Sequence, residues 1–330
     1  MKPRWQRSAV VNIGLLILGF SLLGVSVASN RSELHRCLSG QVVWQSVSFA
    51  FLLYSCGMML AFLRWYFFVR MLGVPLKLSD SLRLSFVGGL FNLIIPGAVG
   101  GDFVKAAFLS QMDVPKVRVY SSMVIDRLIG LLGLFLLASM AGISGWQKSP
   151  ADVHRLTVFA LIITTGLIMF LSLLFRGVLT RNSDRMPELR AMSLAYGKQV
   201  PALIFWLAVS VLVHICNTSA FYLMSMGIMP DLKTGILEHF QIVPLVLFST
   251  AVPLPLGAIG LSENISDVLF RSVGHPSGAI GMLGFRMLQF GFAGIAAMVY
   301  VANLKSIKKL TEYNEASNQQ SSSTVVSIAE

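Results

Sequence analysis

The sequence predicts an all-α polytopic membrane protein, and three observations carry that prediction. Of its 330 residues, 55% are hydrophobic and only 12% are charged, and the mean hydropathy is +0.72. The apolar residues fall into runs of about 20, the length that a helix needs to cross the hydrocarbon core. Two further runs are interrupted by proline and glycine, which indicates broken helices at membrane depth. We therefore expect about six full spans and two re-entrant broken-helix hairpins.

Composition also argues against several classes of function. The net charge of +11 is better explained by basic cytoplasmic loops than by a nucleic-acid partner. The three cysteines and five histidines have no metal-ligand spacing, so we expect no metal and no other cofactor. The motifs of serine hydrolases, zinc peptidases, P-loop proteins and dinucleotide-binding proteins do not occur in the sequence. We therefore expect no enzyme activity.

The first apolar run, about residues 9–28, follows three basic residues near the N-terminus. Small residues at its end resemble a signal-peptidase site, but a length of about 20 residues suits a full crossing. We favour an uncleaved first span, and both readings put the N-terminus in the cytoplasm. Five further full spans are predicted over about residues 42–63, 121–145, 153–175, 200–226 and 279–304.

The two broken elements lie between these spans. In the first, Pro96 and Gly97 separate apolar pieces over residues 84–95 and 98–112. Each piece would be roughly 18–22 Å long as a helix, which is short of the roughly 30 Å hydrocarbon core. Two half-crossings that return to the same side fit better than two full spans. The second broken element covers residues 236–273.

The basic residues give the layout an orientation. If both broken elements are re-entrant, most of the 26 lysines and arginines face one side, which is then cytoplasmic. We expect a bacterial-type inner-membrane protein with both termini in the cytoplasm. One transmembrane domain is predicted over residues 1–304, with halves of about 1–148 and 149–304. Residues 305–330 are predicted to be a basic stub and a disordered tail.

The two halves are predicted to form an inverted repeat. Each half reads span, span, broken hairpin, span, but the halves start from opposite sides of the membrane. A glycine pair and a downstream arginine recur with nearly identical spacing in both halves: Gly97, Gly100 and Arg127, then Gly257, Gly260 and Arg286. In secondary transporters, paired discontinuous helices of this kind line a central substrate site.

The breaks also carry a family resemblance. The first motif is Asn92-x-x-x-Pro96-Gly97-x-x-Gly100-Gly101-Asp102, with Arg127 downstream, and the second is Pro255-x-Gly257-x-x-Gly260-x-x-Glu263, with Arg286 downstream. Over about residues 8–304 the sequence resembles the transmembrane region of lysylphosphatidylglycerol synthases, the flippase-like integral membrane proteins. These 330 residues contain no counterpart of the soluble aminoacyl-transferase domain, so we expect them to aminoacylate no lipid.

The resemblance implies lipid translocation, or assistance to enzymes that make or modify membrane lipids. The thirteen motif residues that would bind the substrate are Asn92, Pro96, Gly97, Gly100, Gly101, Asp102, Lys105, Arg127, Pro255, Gly257, Gly260, Glu263 and Arg286. Lys105 stands near the place where the family often has an arginine, and lysine keeps the charge but loses the bidentate geometry that suits phosphate.

The roles of the charged residues leave alternatives open. Arg127 and Arg286 either bind phosphate as planar forks or act as structural clamps. As clamps, Arg127 would pair with Asp102 or Asp126, and Arg286 with Glu263 or Asp267. Asp102 and Glu263 either cap the half-helices that follow the breaks or serve in proton coupling or contact with a cationic headgroup.

The function expected from these features is that of a lipid flippase, which moves a phosphate-bearing lipid or lipid-linked precursor across the membrane. Two alternatives remain. One is an intramembrane lipid-modifying transferase with Asp102 and Glu263 as acid and base. The other is a non-catalytic accessory subunit, whose partner would be an enzyme of lipid or glycan synthesis.

Overall fold

A computed structural model describes residues 20–94, 100–109, 115–180, 187–229, 235–251, 258–275 and 278–301. Within these ranges the regular structure is helical and contains no β-strand. Backbone groups in hydrocarbon must satisfy their hydrogen bonds internally, and an α-helix does so within one segment. The predicted all-α class is confirmed.

Four helices precede the first break: α1 (Phe20–Ser29), α2 (Arg31–Ser39), α3 (Trp44–Met71) and α4 (Leu78–Ile94). The next four are α5 (Gly100–Leu109), α6 (Lys116–Ser144), α7 (Ala151–Phe175) and α8 (Pro187–Gly197). The last four are α9 (Val200–Ile228), α10 (Ile236–Ser249), α11 (Leu261–Arg271) and α12 (Gly278–Val301).

Five described helices are long and apolar enough to cross a membrane, namely α3, α6, α7, α9 and α12. The chain is therefore a multi-pass membrane protein. Even the shortest of the five, α12 with 24 residues, is about 36 Å long, which exceeds a hydrocarbon core of about 30 Å. The predicted first span lies largely outside the described residues, and only its end is seen, as α1.

The broken elements are present as pairs of short helices. The pieces predicted over residues 84–95 and 98–112 correspond to α4 and α5, which pack against each other. The second broken element corresponds to α10 and α11, which also pack against each other. The breaks themselves, residues 95–99 and 252–257, lie outside the described residues.

Helix α6 is the centre of the bundle. It packs against α3, α7, α9 and α10, and 56% of its apolar span is buried, against 17–39% for the other four long helices. Small residues allow such close packing between membrane helices. A side chain carried by this helix is thus held by neighbours from both halves of the chain.

Two helices, α2 and α8, were not predicted from the sequence. Helix α8 lies between the spans predicted over 153–175 and 200–226, and it begins with Pro187, which suits a first helical turn. The Tyr196 hydroxyl donates a hydrogen bond of 3.1 Å to the carbonyl of Phe68 in α3. The Gln199 side chain donates to the carbonyl of Met71 at 3.3 Å. These contacts join α8 and the start of α9 to the end of α3.

Candidate functional site

The first break brings α5 back against α4 at two glycines. A Cβ atom on Gly101 would stand 2.8 Å from the carbonyl oxygen of Gly88, so only glycine fits this contact. The Gly101 amide donates a hydrogen bond of 2.7 Å to the side-chain oxygen of Asn92. Asn92 therefore satisfies one of the N–H groups that the first turn of a helix leaves unpaired.

Arg127 of α6 forms an ion pair with Asp102 in the first turn of α5. The Nη2 and Nε atoms of Arg127 each lie 2.6 Å from Oδ2 of Asp102. Arg127 is the twelfth residue of the 29-residue helix α6, about 17 Å from its start at 1.5 Å per residue. The Arg127 side chain is nevertheless 42% exposed and that of Asp102 24%. Since a charged group within a span faces the protein interior or water rather than lipid, this exposure indicates that water or a polar ligand can reach the pair.

Arg64 of α3 is a buried charge that sequence reasoning missed. Its Nε donates to Oδ1 of Asp126 at 2.8 Å and its Nη2 to Oδ2 at 3.3 Å. Its Nη1 donates to the hydroxyl of Ser210 in α9 at 2.7 Å. The second span was predicted to end near residue 63, directly before Arg64. The helix instead continues to Met71, since Asp126 neutralises the buried guanidinium.

Lys105 lies on α5, near both of these ion pairs. Its ammonium stands over the indole ring of Trp65, 4.0 Å from the ring centroid, which is a cation–π contact. The charges of both neighbouring pairs, Asp102–Arg127 and Arg64–Asp126, act on it electrostatically. We call the five side chains Arg64, Asp102, Lys105, Asp126 and Arg127 the α5–α6 charge cluster.

The second break has the same kind of ion pair in a different environment. Arg286 of α12 pairs with Glu263 in the first turn of α11 through Nε and Oε1, and its Nη2 lies 3.3 Å from Oε2. The Gly260 amide donates to Glu263 Oε2 at 2.6 Å, which is the predicted capping of the half-helix. The Ser262 hydroxyl accepts a hydrogen bond from Arg286. Exposure is 2% for the Arg286 side chain and 0% for Glu263.

Backbone conformation explains the second turn. Gly260 has φ +82°, in the left-handed region that glycine adopts readily. Ala258, two residues earlier, has φ +57°, which is uncommon for a residue with a Cβ atom. The Asn264 amide group donates to the Gly260 carbonyl at 2.6 Å and to the Leu22 carbonyl of α1 at 3.0 Å. The Asn264 side chain therefore links this turn to α1.

Each arginine thus pairs with one of the two carboxylates expected under the clamp interpretation. The other carboxylate considered for each arginine pairs elsewhere: Asp126 pairs with Arg64, and Asp267 pairs with Arg271. Four of the predicted binding residues lie outside the described residues: Pro96, Gly97, Pro255 and Gly257. The other nine are described, and they divide between the two breaks: five lie in or beside the α4–α5 hairpin, Arg127 faces it, and three lie at the second break.

The nearby His214 is engaged by a backbone carbonyl. The His214 ring nitrogen Nε2 lies 2.9 Å from the carbonyl of Gly130, so this histidine is held by the backbone of α6. Among the described residues, no group of three or more His, Cys, Asp or Glu side chains could hold a metal ion.

A cavity of about 260 Å³ lies between α6, α7 and α8. Its lining carries no charge: Tyr120, Ser121, Val124, Ile125, Leu128, Phe170, Leu174, Phe175, Met192, Ser193 and Tyr196. An apolar cavity of about 150 Å³ already admits a benzene molecule, so this cavity has room for part of a hydrocarbon chain.

Together the fold and the two breaks define a class: a helical, multi-pass membrane protein with an arginine–carboxylate pair at each of two broken elements. The chain belongs to the family described as the lysylphosphatidylglycerol synthase TM region, which it matches over residues 7–297. That membership confirms the resemblance seen in the motifs and indicates a function related to membrane lipids. No curated protein matches the chain significantly.

Proposed function

We propose that the protein is a flippase-type transporter that moves a phosphate-bearing lipid or lipid-linked precursor between the two leaflets. The observation that carries the proposal is the partly exposed Arg127–Asp102 pair at mid-depth on α6. A lipid headgroup must leave water to cross the hydrocarbon, whereas its chains can stay in lipid. The protein therefore has to offer polar and charged groups at mid-depth.

The energetic cost of breaking each ion pair gives Arg127 and Arg286 different roles. An ion pair open to solvent contributes only about 0–1 kcal/mol to stability, so Arg127 can exchange Asp102 for a phosphate at little cost. Removing one partner of a buried pair costs about 3–5 kcal/mol, so Arg286 cannot be taken from Glu263 so cheaply. We assign phosphate binding to Arg127 and a structural role to Arg286.

Backbone N–H groups at the start of α5 also favour the binding of an anion near Arg127. Residues Gly100 and Gly101 begin α5, whose first-turn N–H groups carry the positive end of the helix dipole. Such an end favours anions. The turn therefore adds to the attraction of Arg127 for phosphate.

The proposal includes an orientation. The two hairpins are re-entrant from opposite faces, the halves are inverted relative to each other, and both termini lie in the cytoplasm of a bacterial-type inner membrane. The bias of the 26 lysines and arginines toward one side supports this orientation. Rocking of one half against the other would then expose the headgroup path to each face in turn.

Reconstitution in liposomes with a panel of labelled lipids tests the proposal. Wild-type protein should move at least one phosphate-bearing lipid between leaflets, and Arg127→Ala should slow it by about tenfold or more, as expected when a charge-assisted contact is lost. Arg155→Ala is the matched control, because Arg155 is 82% exposed in α7 and pairs with Asp152 one helical turn away.

Three other outcomes would overturn the whole proposal or the part of it that concerns Arg127. No transport of any lipid would favour the accessory-subunit alternative, and a covalently changed lipid would favour the transferase. Normal transport by Arg127→Ala would leave a transporter but would remove Arg127 from the binding site.

A further inference from the structure

Cys56 of α3 and Cys216 of α9 lie side by side where these two helices pack against each other. Their thiols are within hydrogen-bonding reach of each other. The backbones are close here as well, since a Cβ atom on Gly57 would stand 3.2 Å from Cβ of Cys216. The two Cβ atoms of a disulfide are about 3.5–4.5 Å apart. The two helices therefore approach each other at this crossing as closely as a disulfide requires.

The two cysteines occupy equivalent positions in the two predicted halves of the chain. They are 160 positions apart in the sequence, as are Gly100 and Gly260 at the two breaks. Gly57 and Asn217 have the same spacing, and the side-chain oxygen of Asn217 lies 3.1 Å from a Cβ atom built on Gly57. Residues that a two-fold axis relates can touch only at that axis. Under the predicted inverted repeat, the cysteine pair thus lies at the joint between the halves.

The two thiols differ in their access to an oxidant. Cys56 is exposed, whereas Cys216 is 7% exposed. Cys56 is the thirteenth residue of the 28-residue helix α3, about 18 Å from its start at 1.5 Å per residue. An oxidant that reaches this depth must be small and uncharged, and hydrogen peroxide is both. Peroxide would therefore oxidise Cys56 first, and the buried neighbour is placed to react with the oxidised sulfur.

From this arrangement we infer that Cys56 and Cys216 form a redox-sensitive pair, which hydrogen peroxide closes to a disulfide that stops movement between the halves. Peroxide transfers one oxygen atom to the Cys56 sulfur, which becomes a sulfenic acid, and one water is released. The Cys216 sulfur then attacks the sulfenic sulfur, so that an S–S bond forms and the S–O bond breaks. The hydroxyl group leaves with the Cys216 proton as a second water. In total the thiols lose two electrons and two protons, and peroxide is reduced to water.

A disulfide at this crossing restrains α3 and α9 more than their present contacts do. The hydrogen bond of 2.7 Å between Arg64 and Ser210 joins the same two helices, but a hydrogen bond can exchange its partner. A disulfide fixes an S–S length of about 2 Å and a dihedral angle of about 90°. Rocking of one half against the other changes the angle between such helices, so the closed disulfide opposes it. This effect on transport rests on the proposed function, whereas the formation of the disulfide does not.

Counting thiols tests whether the disulfide forms. The purified full-length protein is treated with hydrogen peroxide in liposomes, unfolded in detergent and labelled with a maleimide polymer that shifts the gel band once for each thiol. The reduced protein carries three thiols. Oxidation should leave only the thiol of Cys37, and dithiothreitol should restore all of them by thiol–disulfide exchange.

Three variants serve as controls for the thiol count. Cys37→Ser keeps the pair intact, and peroxide should remove both of its thiols. Cys56→Ser and Cys216→Ala each lack one member of the pair and should form no disulfide within the chain. Neither change introduces a larger side chain into the α3–α9 contact.

The liposome transport assay tests the effect of the disulfide on movement. Transport by the wild-type protein should fall in proportion to the fraction that carries the disulfide, and it should return after dithiothreitol. Cys56→Ser and Cys216→Ala should keep their transport rates through the same peroxide treatment.

The inference is overturned if the wild-type protein keeps all its thiols after peroxide, or if Cys56→Ser loses thiols as readily as the wild type. A disulfide that leaves the transport rate unchanged would overturn the arrest of movement. If the disulfide forms but the reduced protein moves no lipid, the proposed transport fails and the redox-sensitive pair stands. If lipid is moved and no disulfide forms, the transport proposal stands and the pair fails.

Discussion

Arg127 and Arg286 follow the two breaks with nearly the same spacing, but their surroundings differ sharply. Both pair with a carboxylate in the first turn of a half-helix, Asp102 in α5 and Glu263 in α11. Burial separates them, since the Arg286 side chain is 2% exposed and that of Arg127 42%. Residue type and spacing are therefore alike in the two halves, whereas access to a ligand differs.

Replacing Arg286 by methionine should destabilise the protein by about 3–5 kcal/mol, because Glu263 is left as an unpaired buried charge. The double variant Arg286→Met with Glu263→Met should recover about half of that loss, since no charge then stays unpaired, although the Gly260 amide loses its acceptor. Denaturant unfolding of the purified protein in detergent measures both effects.

Arg271→Met supplies the control for this prediction. Arg271 pairs with Asp267 one helical turn away, and its side chain is 52% exposed. Its loss should change stability by at most about 1 kcal/mol. Equal unfolding midpoints for Arg286→Met and Arg271→Met would refute the structural role of the buried pair.

At the scale of the element, the α4–α5 hairpin depends on close contact between two backbones. Gly88 and Gly101 meet there, and Asn92 accepts the hydrogen bond from the Gly101 amide. The sequence predicted the existence of both half-helices, because proline and glycine interrupted an apolar run. It did not predict the contact with Gly88, because nothing in a helical glycine indicates which neighbour approaches it.

Gly101→Ala should destabilise the hairpin by about 1–3 kcal/mol, because its Cβ would stand 2.8 Å from the Gly88 carbonyl oxygen and backbone cannot move aside cheaply. Gly89→Ala is the matched control one residue from the contact, where no atom lies within 4 Å of the added Cβ. That change should be neutral or stabilising by up to about 1 kcal/mol. Hydrogen exchange of the α4 and α5 amides distinguishes the two variants, and equal protection in both would contradict the close contact.

At the scale of the whole molecule, hydropathy was enough to predict the five long helices that the structure describes. It could not predict the charge cluster. Arg64 was read as the end of a span, although the apolar run Trp65–Val69 beyond it was a sign that the helix continues. Its partner Asp126 is 62 positions away and on another helix, and sequence spacing does not reveal which buried charges meet across a bundle. The place of Lys105 near both ion pairs becomes apparent only when those pairings are known.

The central claim is that Arg127 binds the phosphate of the transported lipid and does not merely hold Asp102. The most direct test compares Arg127→Gln with Asp102→Asn in the liposome transport assay, because each change breaks the same ion pair. Arg127→Gln should slow transport by about tenfold or more, since the cation is lost. Asp102→Asn should transport at the wild-type rate or faster, because the carboxylate no longer competes with phosphate for the guanidinium. An equal loss in both variants, or none in Arg127→Gln, would contradict the claim.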